Sequence, residues 1–181
     1  GITRPEDYYY TRMFTDAARA IDTVIELAAG TGTGPTPRIA VTGGSQGGAL
    51  ALAAAALRPD VVQVCHADVP FLCDIQRAIT LAPHAPYTEI PEFLAENVAL
   101  IDTALNTLRY IDCALLARRI TATSLLSVGL MDIICPPSTV FAAYNEITAD
   151  KDIAVYPFSG HSVPHAHAER QLRHLRAALP A

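Results

Sequence analysis

The sequence predicts an α/β fold, with a mostly parallel sheet flanked by helices. Two observations carry this reading. Short β-prone runs alternate with helical patterns along the 181 residues, and strands separated by helices pair in parallel with those helices on the faces of the sheet. The first β-prone run also passes directly into a glycine-rich turn, Gly43-Gly44-Ser45-Gln46-Gly47-Gly48, and then into an Ala/Leu helix. Hydrophobic residues make up 51% of the chain, enough for one domain, residues 1–181, with a buried core.

The elements follow in order. Glu6 to Ala29 reads as one helix, because Phe14, Ala17, Ala18, Ile21, Val24, Ile25 and Ala28 recur at spacings of three and four. A Gly/Pro/Thr linker from Gly30 to Pro37 ends it. Arg38 to Thr42 is the first strand, and Gln46 to Leu57 the helix after the turn, closed by Arg58-Pro59-Asp60. Val61 to Ala67 is the second strand. Pro70 to Thr121 is mostly helical, with breaks at Pro83, Pro86 and Pro91. That stretch is too large for a simple crossover. Residues 71–119 read as a helical insertion over the sheet's C-terminal edge, where such sheets bind ligands. Thr123 to Val128 is the third strand. Pro136-Pro137 opens a helix to about Ile147, since proline is favoured in a first turn. Ile153 to Tyr156 is the fourth strand, and Ala166 to Leu179 the last helix.

Composition narrows the function. The net charge is −5 with no basic stripe, which argues against a nucleic-acid partner. No run approaches the ~18 apolar residues of a membrane span. Cys65, Cys73, Cys113 and Cys135 are widely spaced with no CxxC pair. They read as buried thiols in a reducing compartment, not as a disulfide framework or a zinc site.

Gly43-x-Ser45-x-Gly47 fits G-x-S-x-G between a strand and a helix, the nucleophile elbow of the α/β-hydrolase fold. A sharp strand-to-helix turn strains the serine backbone. Glycines at Gly43, Gly44 and Gly47 keep side chains out of the crossing of strand and helix. The turn lifts the Ser45 hydroxyl to the sheet edge and sets the Gln46 N–H at a helix N-terminus, aimed at a developing oxyanion. A phosphate-binding turn is the competing reading, but it lacks the Walker lysine and the G-x-G-x-x-G spacing. Serine needs a base, and the base an orienting acid, in the chain order Ser, Asp or Glu, His. Asp132, after the third strand, is the candidate acid, with a helix cap as its alternative. His161, after the fourth strand, is the candidate base. His165, His167 and His174 are rivals farther along, and His66 and His84 come too early. Asp150 and Asp152 read as solvated residues of a turn before the last strand. A metal set built on His161, His165 and His167 lacks a matching carboxylate or cysteine group.

Several runs resemble the acetyl xylan esterase and cephalosporin-C deacetylase family (carbohydrate esterase family seven). They are Tyr8-Tyr9-Tyr10-x-Arg12-x-Phe14-Thr15-Asp16-Ala17, the elbow, Asp68-Val69-Pro70-Phe71-Leu72-Cys73, and the long run from Ser127 to Asn145. The resemblance implies a serine esterase that removes acetyl groups from short acetylated sugars and from cephalosporin C, with no metal or cofactor. Ser45, Asp132 and His161 match the family's triad positions, and Gln46 its oxyanion donor. It further implies a cytoplasmic enzyme assembled as a homo-oligomer, a hexamer in full-length relatives, with residues 71–119 narrowing the pocket. Two departures stand out. Ser162-Val163-Pro164-His165 follows the base where the family is acidic and Gly-rich. The family's segment before Tyr8, with the early strands and a second oxyanion donor, is absent. The N-terminal strands are therefore expected to be missing, and the chain to be part of a longer one. The alternatives are a prolyl-oligopeptidase-like peptidase, which shares the GGSxGG elbow, and a non-catalytic fragment that folds only against a partner.

Overall fold

The computed structural model describes residues 1–30 and 37–179. The linker expected between Gly30 and Pro37 lies outside them, apart from its two end residues. A 3-10 turn at Pro5–Asp7 leads into α1 (Tyr9–Gly30), β1 (Ile39–Gly44), α2 (Gln46–Leu57) and β2 (Val62–Asp68). Four short helices follow: α3 (Ile75–Leu81), α4 (Glu89–Glu96), α5 (Ile101–Leu108) and α6 (Cys113–Leu116). The chain then forms β3 (Thr123–Gly129), α7 (Pro137–Glu146), β4 (Lys151–Tyr156) and α8 (His167–Ala178).

The four strands pair in the order β1-β2-β3-β4, all parallel. Their register sets the carboxyl ends side by side. Gly44 pairs with Asp68, Asp68 with Ser127, and Gly129 with Tyr156. Every loop leaving these strands therefore emerges along one edge, the usual ligand edge of such sheets.

Burial follows from composition. β3 is buried continuously from Ser124 to Gly129, as expected of a parallel strand covered on both faces. The α2 sequence is apolar all round, and a helix of that kind belongs inside. Ala49 and Ala51 to Ala56 are buried, and their small side chains let α2 lie close against β1 and β2. On α1, Phe14 and Ile21 face the core, but Val24 is 50% exposed. Val24 borders a groove with Ile21, Ile39, Val41 and Leu50, along the side of β1 away from β2. All four cysteines are free and buried.

Three local expectations change. Gly43 and Gly44 belong to β1, because its pairing with β2 continues to Gly44–Asp68. Pro91 does not break the chain. It lies in the first turn of α4, where a backbone N–H has no intrahelical partner to lose. Asp152 belongs to β4, beginning at Lys151, and its carboxylate pairs with Arg170 at 2.6 Å. Among the described residues, no helix is long and apolar enough to cross a membrane.

Candidate active site

The elbow is built from backbone first. Ser45 adopts φ 54°, ψ −116°, a conformation that costs a non-glycine residue ~1–3 kcal/mol and persists only when its surroundings hold it. Here the Ser45 N–H donates to the Asp68 carbonyl at 2.8 Å. The Ser45 carbonyl accepts from the N–H groups of Ala49 and Phe71, each at 3.0 Å. Gly43 is required by close approach, since a Cβ there would lie 2.3 Å from the Gly47 carbonyl oxygen. Gly47 is not: a Cβ there meets nothing within 4 Å, because the position faces the groove beside β1. The second crowded position is Gly48, whose Cβ would come 3.1 Å from the Asp68 oxygen and from Pro70. Gly44 makes only ordinary contacts at 3.8 Å.

The three residues expected to act together are brought together. His161 Nε2 lies 2.7 Å from Ser45 Oγ, and its Nδ1 lies 2.8 Å from Asp132 Oδ2. Asp132 follows β3 in a tight turn and is 4% exposed. Its other oxygen, Oδ1, accepts the N–H groups of Ile134 and Cys135 at 2.8 and 2.9 Å. Asp132 does not cap α7, whose N-cap is Pro136 with no side-chain cap bond; one carboxylate oxygen holds the loop ahead of the helix while the second faces the imidazole. An ionised carboxylate only accepts, so Nδ1 carries the proton and the Nε2 lone pair faces the serine hydroxyl. His161 keeps a quarter of its side chain exposed, so the site is open to a small substrate. Acid turn and base loop touch through Gly129, where a Cβ would lie 2.3 Å from the Gly160 oxygen.

Gln46 is the first residue of α2, a position whose N–H has no partner within the helix. Its side chain donates from Nε2 to Tyr10 Oη at 3.0 Å. Tyr10 packs edge-on against Phe71 at 6.0 Å, and Phe71 lies 4.6 Å from Tyr87. Three rings thus pack in series beside Gln46, Tyr10 from α1 and Phe71 and Tyr87 from the stretch between β2 and β3.

The rival histidines lead elsewhere. His165 and His84 are exposed. His167 is buried, with Nε2 2.7 Å from Asp68 Oδ1. His174 Nδ1 faces His66 Nε2 at 3.0 Å. Among the described residues, no three His, Cys, Asp or Glu side chains are grouped to hold a metal ion. The cysteines are not rival nucleophiles: burial pushes the Cys65 thiol up to about 12. Burial also raises Cys135, with the Asp132 charge adding to it, so neither forms thiolate near neutrality. The sequence reading passed over Asp68, Ser127 and Tyr156 as individual site residues. The available signal was a carboxylate closing a largely buried strand.

Residues 1–178 match the family described as acetyl xylan esterase (AXE1). The acetyl esterase Axe7A of Xylanibacter ruminicola is 32% identical over 161 residues, which cover 89% of this chain and 35% of that protein. The acetyl xylan esterase from Paenibacillus sp. R4 superposes with a TM-score of 0.89 at 36% identity, over 99% of this chain and 56% of that one. Acetyl xylan esterase 1 from Thermoanaerobacterium sp. JW/SL YS485 gives 0.84 at 36% identity, over 96% and 55%. The chain thus spans about half the length of these two solved relatives and about a third of Axe7A. With its residues matched almost throughout, the chain belongs to the acetyl xylan esterase family, and its sheet is that of an α/β-hydrolase.

Proposed function

We propose that the protein is a serine esterase that removes acetyl groups from short acetylated sugars, xylo-oligosaccharides among them, and from cephalosporin C, through an acyl-enzyme. The observation that carries this is the continuous contact from Ser45 Oγ through the His161 ring to Asp132, at 2.7 and 2.8 Å, in a chain of this family. His161 Nε2 takes the hydroxyl proton as Ser45 Oγ bonds to the acetyl carbonyl carbon. The Gln46 N–H donates to the oxyanion of the tetrahedral intermediate. Collapse breaks the ester bond, and His161 returns its proton to the departing sugar oxygen. Water then enters, loses a proton to His161 and attacks the acyl-enzyme. Acetate leaves as Ser45 regains its hydrogen. Asp132 holds the ring and stabilises its cation through both halves.

The insertion, residues 71–119, forms one wall of the pocket in this reading. The Phe71 N–H bond to the Ser45 carbonyl and the Tyr10–Phe71–Tyr87 ring contacts support it. Homo-oligomeric assembly, a hexamer as in full-length relatives, and a cytoplasmic location are further expectations of the same reading. Light scattering and fractionation test them.

The deciding experiment measures acetate release from p-nitrophenyl acetate and acetylated xylobiose by the full chain and by Ser45→Ala. Turnover is expected to fall by about 10⁵–10⁶-fold in the variant. A folded full chain that releases no acetate in a Ser45-dependent way would sink the proposal.

A further inference from the structure

We propose that His167 is a positioning residue for the base, clamping the loop that carries His161 to the strand that fixes the Ser45 backbone. The inference rests on the acyl-transfer reading above. The loop runs over 157–166, between Tyr156, the last residue of β4, and His167, the first of α8. Tyr156 Oη lies 2.7 Å from His167 Nδ1, so the loop's two ends are joined side chain to side chain. His167 Nε2 lies 2.7 Å from Asp68 Oδ1. The Asp68 carboxylate also accepts from Ser127 Oγ at 2.8 Å and from Gln171 Nε2 at 2.9 Å. The carbonyl of this same Asp68 takes the Ser45 N–H at 2.8 Å. One residue at the end of β2 therefore sets the nucleophile through its backbone and the base loop through its side chain.

The two halves of the loop are held differently. Before His161, the Leu130 N–H reaches the Tyr156 carbonyl and the Met131 N–H reaches the Ser159 carbonyl, both at 3.0 Å. These bonds tie that half to the acid turn. After His161, the backbone bonds among the described residues are local: Ser162 to Gly160 and His167 to Pro164, each at 2.8 Å. This half reaches the sheet through the His167 side chain. The ring is 1% exposed, so it meets neither substrate nor bulk water. With Nε2–H donated to the acceptor-only carboxylate, Nδ1 accepts the Tyr156 O–H, and every polar atom of the ring is used.

The test uses the full chain with Tyr156→Phe, which deletes one hydroxyl, and His167→Gln, whose amide can still bond Asp68 but cannot also join Tyr156. The readouts are kcat and KM on p-nitrophenyl acetate, the rate at which a fluorophosphonate modifies Ser45, and the thermal midpoint. If the clamp places His161, Tyr156→Phe lowers kcat and the modification rate together by about 10-fold. That is within the ~10²-fold that a misplacement of 1 Å can cost. KM stays nearly unchanged, the midpoint falls by a few degrees because His167 Nδ1 is left buried without its donor, and the rates of His167→Gln fall at least as far. Both rates unchanged per folded enzyme, with only the midpoint lowered, would overturn the proposal and leave the esterase reading intact. No Ser45-dependent turnover in the unsubstituted chain would overturn both.

Discussion

Asp132 divides its two oxygens between separate tasks, and the division makes its contribution measurable. Oδ1 is committed to the N–H groups of Ile134 and Cys135, while Oδ2 faces His161 Nδ1. In Asp132→Asn the carbonyl oxygen keeps the backbone bonds, so the amide nitrogen must face the imidazole. That nitrogen only donates, so Nδ1 must become the acceptor and the proton moves to Nε2, where it blocks uptake from Ser45. The expected result is a fall in kcat of about 10⁴-fold with a thermal midpoint close to that of the unsubstituted protein. Steady-state kinetics at pH 7–8 beside a melting curve check it. A variant retaining a tenth of the activity would show that the tautomer does not matter. That Ser45, Asp132 and His161 come together was legible in the sequence because each follows a strand, in the Ser–Asp–His order, and parallel strands deliver their ends to one edge. The Asp68–His167 contact was not legible. It joins residues 99 apart; Asp68 opens a family-like run that names no partner for it, and His167 stands in none.

At the scale of elements, the acid strand and the base loop meet backbone to backbone at Gly129. A methyl group there would lie 2.3 Å from the Gly160 oxygen and 2.5 Å from the Ser159 oxygen, and no flexible side chain can yield instead. Gly129→Ala must therefore push the loop away from β3 and carry His161 with it. Overpacking of this kind costs ~1–3 kcal/mol, which is several degrees of midpoint at this size. The loss in kcat is expected to be larger, 10-fold or more, and an unchanged kcat per folded molecule would show that the loop relaxes without moving the ring. The same contrast explains what the sequence could reveal about the elements. Both ends of α2 match the reading because an Ala/Leu run is framed by the elbow and by Arg58-Pro59-Asp60. The end of β1 did not match, since glycine propensity cannot show that β2 continues pairing β1 through Gly43 and Gly44. The break expected at Pro91 failed for a related reason: proline's cost depends on its place in a helix, and periodicity does not fix that place.

The whole molecule draws β2 and α8 together through two histidine contacts, and one of them couples stability to pH. His66 on β2 is 5% exposed and faces His174 on α8 at 3.0 Å. Burial first, and His174 next, push His66 down to about 4. Asp68 opposes the shift, while His167 adds a smaller depression. His174 is also lowered, by burial first, against Asp152 and Asp150, which raise it, and with Arg170, which lowers it. In the unfolded chain a histidine binds its proton near pH 6.5. Between about 6.5 and 4 the unfolded state therefore holds the extra proton, and stability rises with pH. The contribution is complete above pH 6.5 and is lost as the pH falls toward 4, by an amount on the order of 3 kcal/mol. His66→Gln offers an amide that can bond the His174 ring but cannot titrate. Its melting midpoint should fall less steeply between pH 6.5 and 4 than that of the unsubstituted chain, by several degrees across the window. Parallel slopes in the two proteins would place the acid sensitivity in other groups, His174 among them, and would remove His66 from the account.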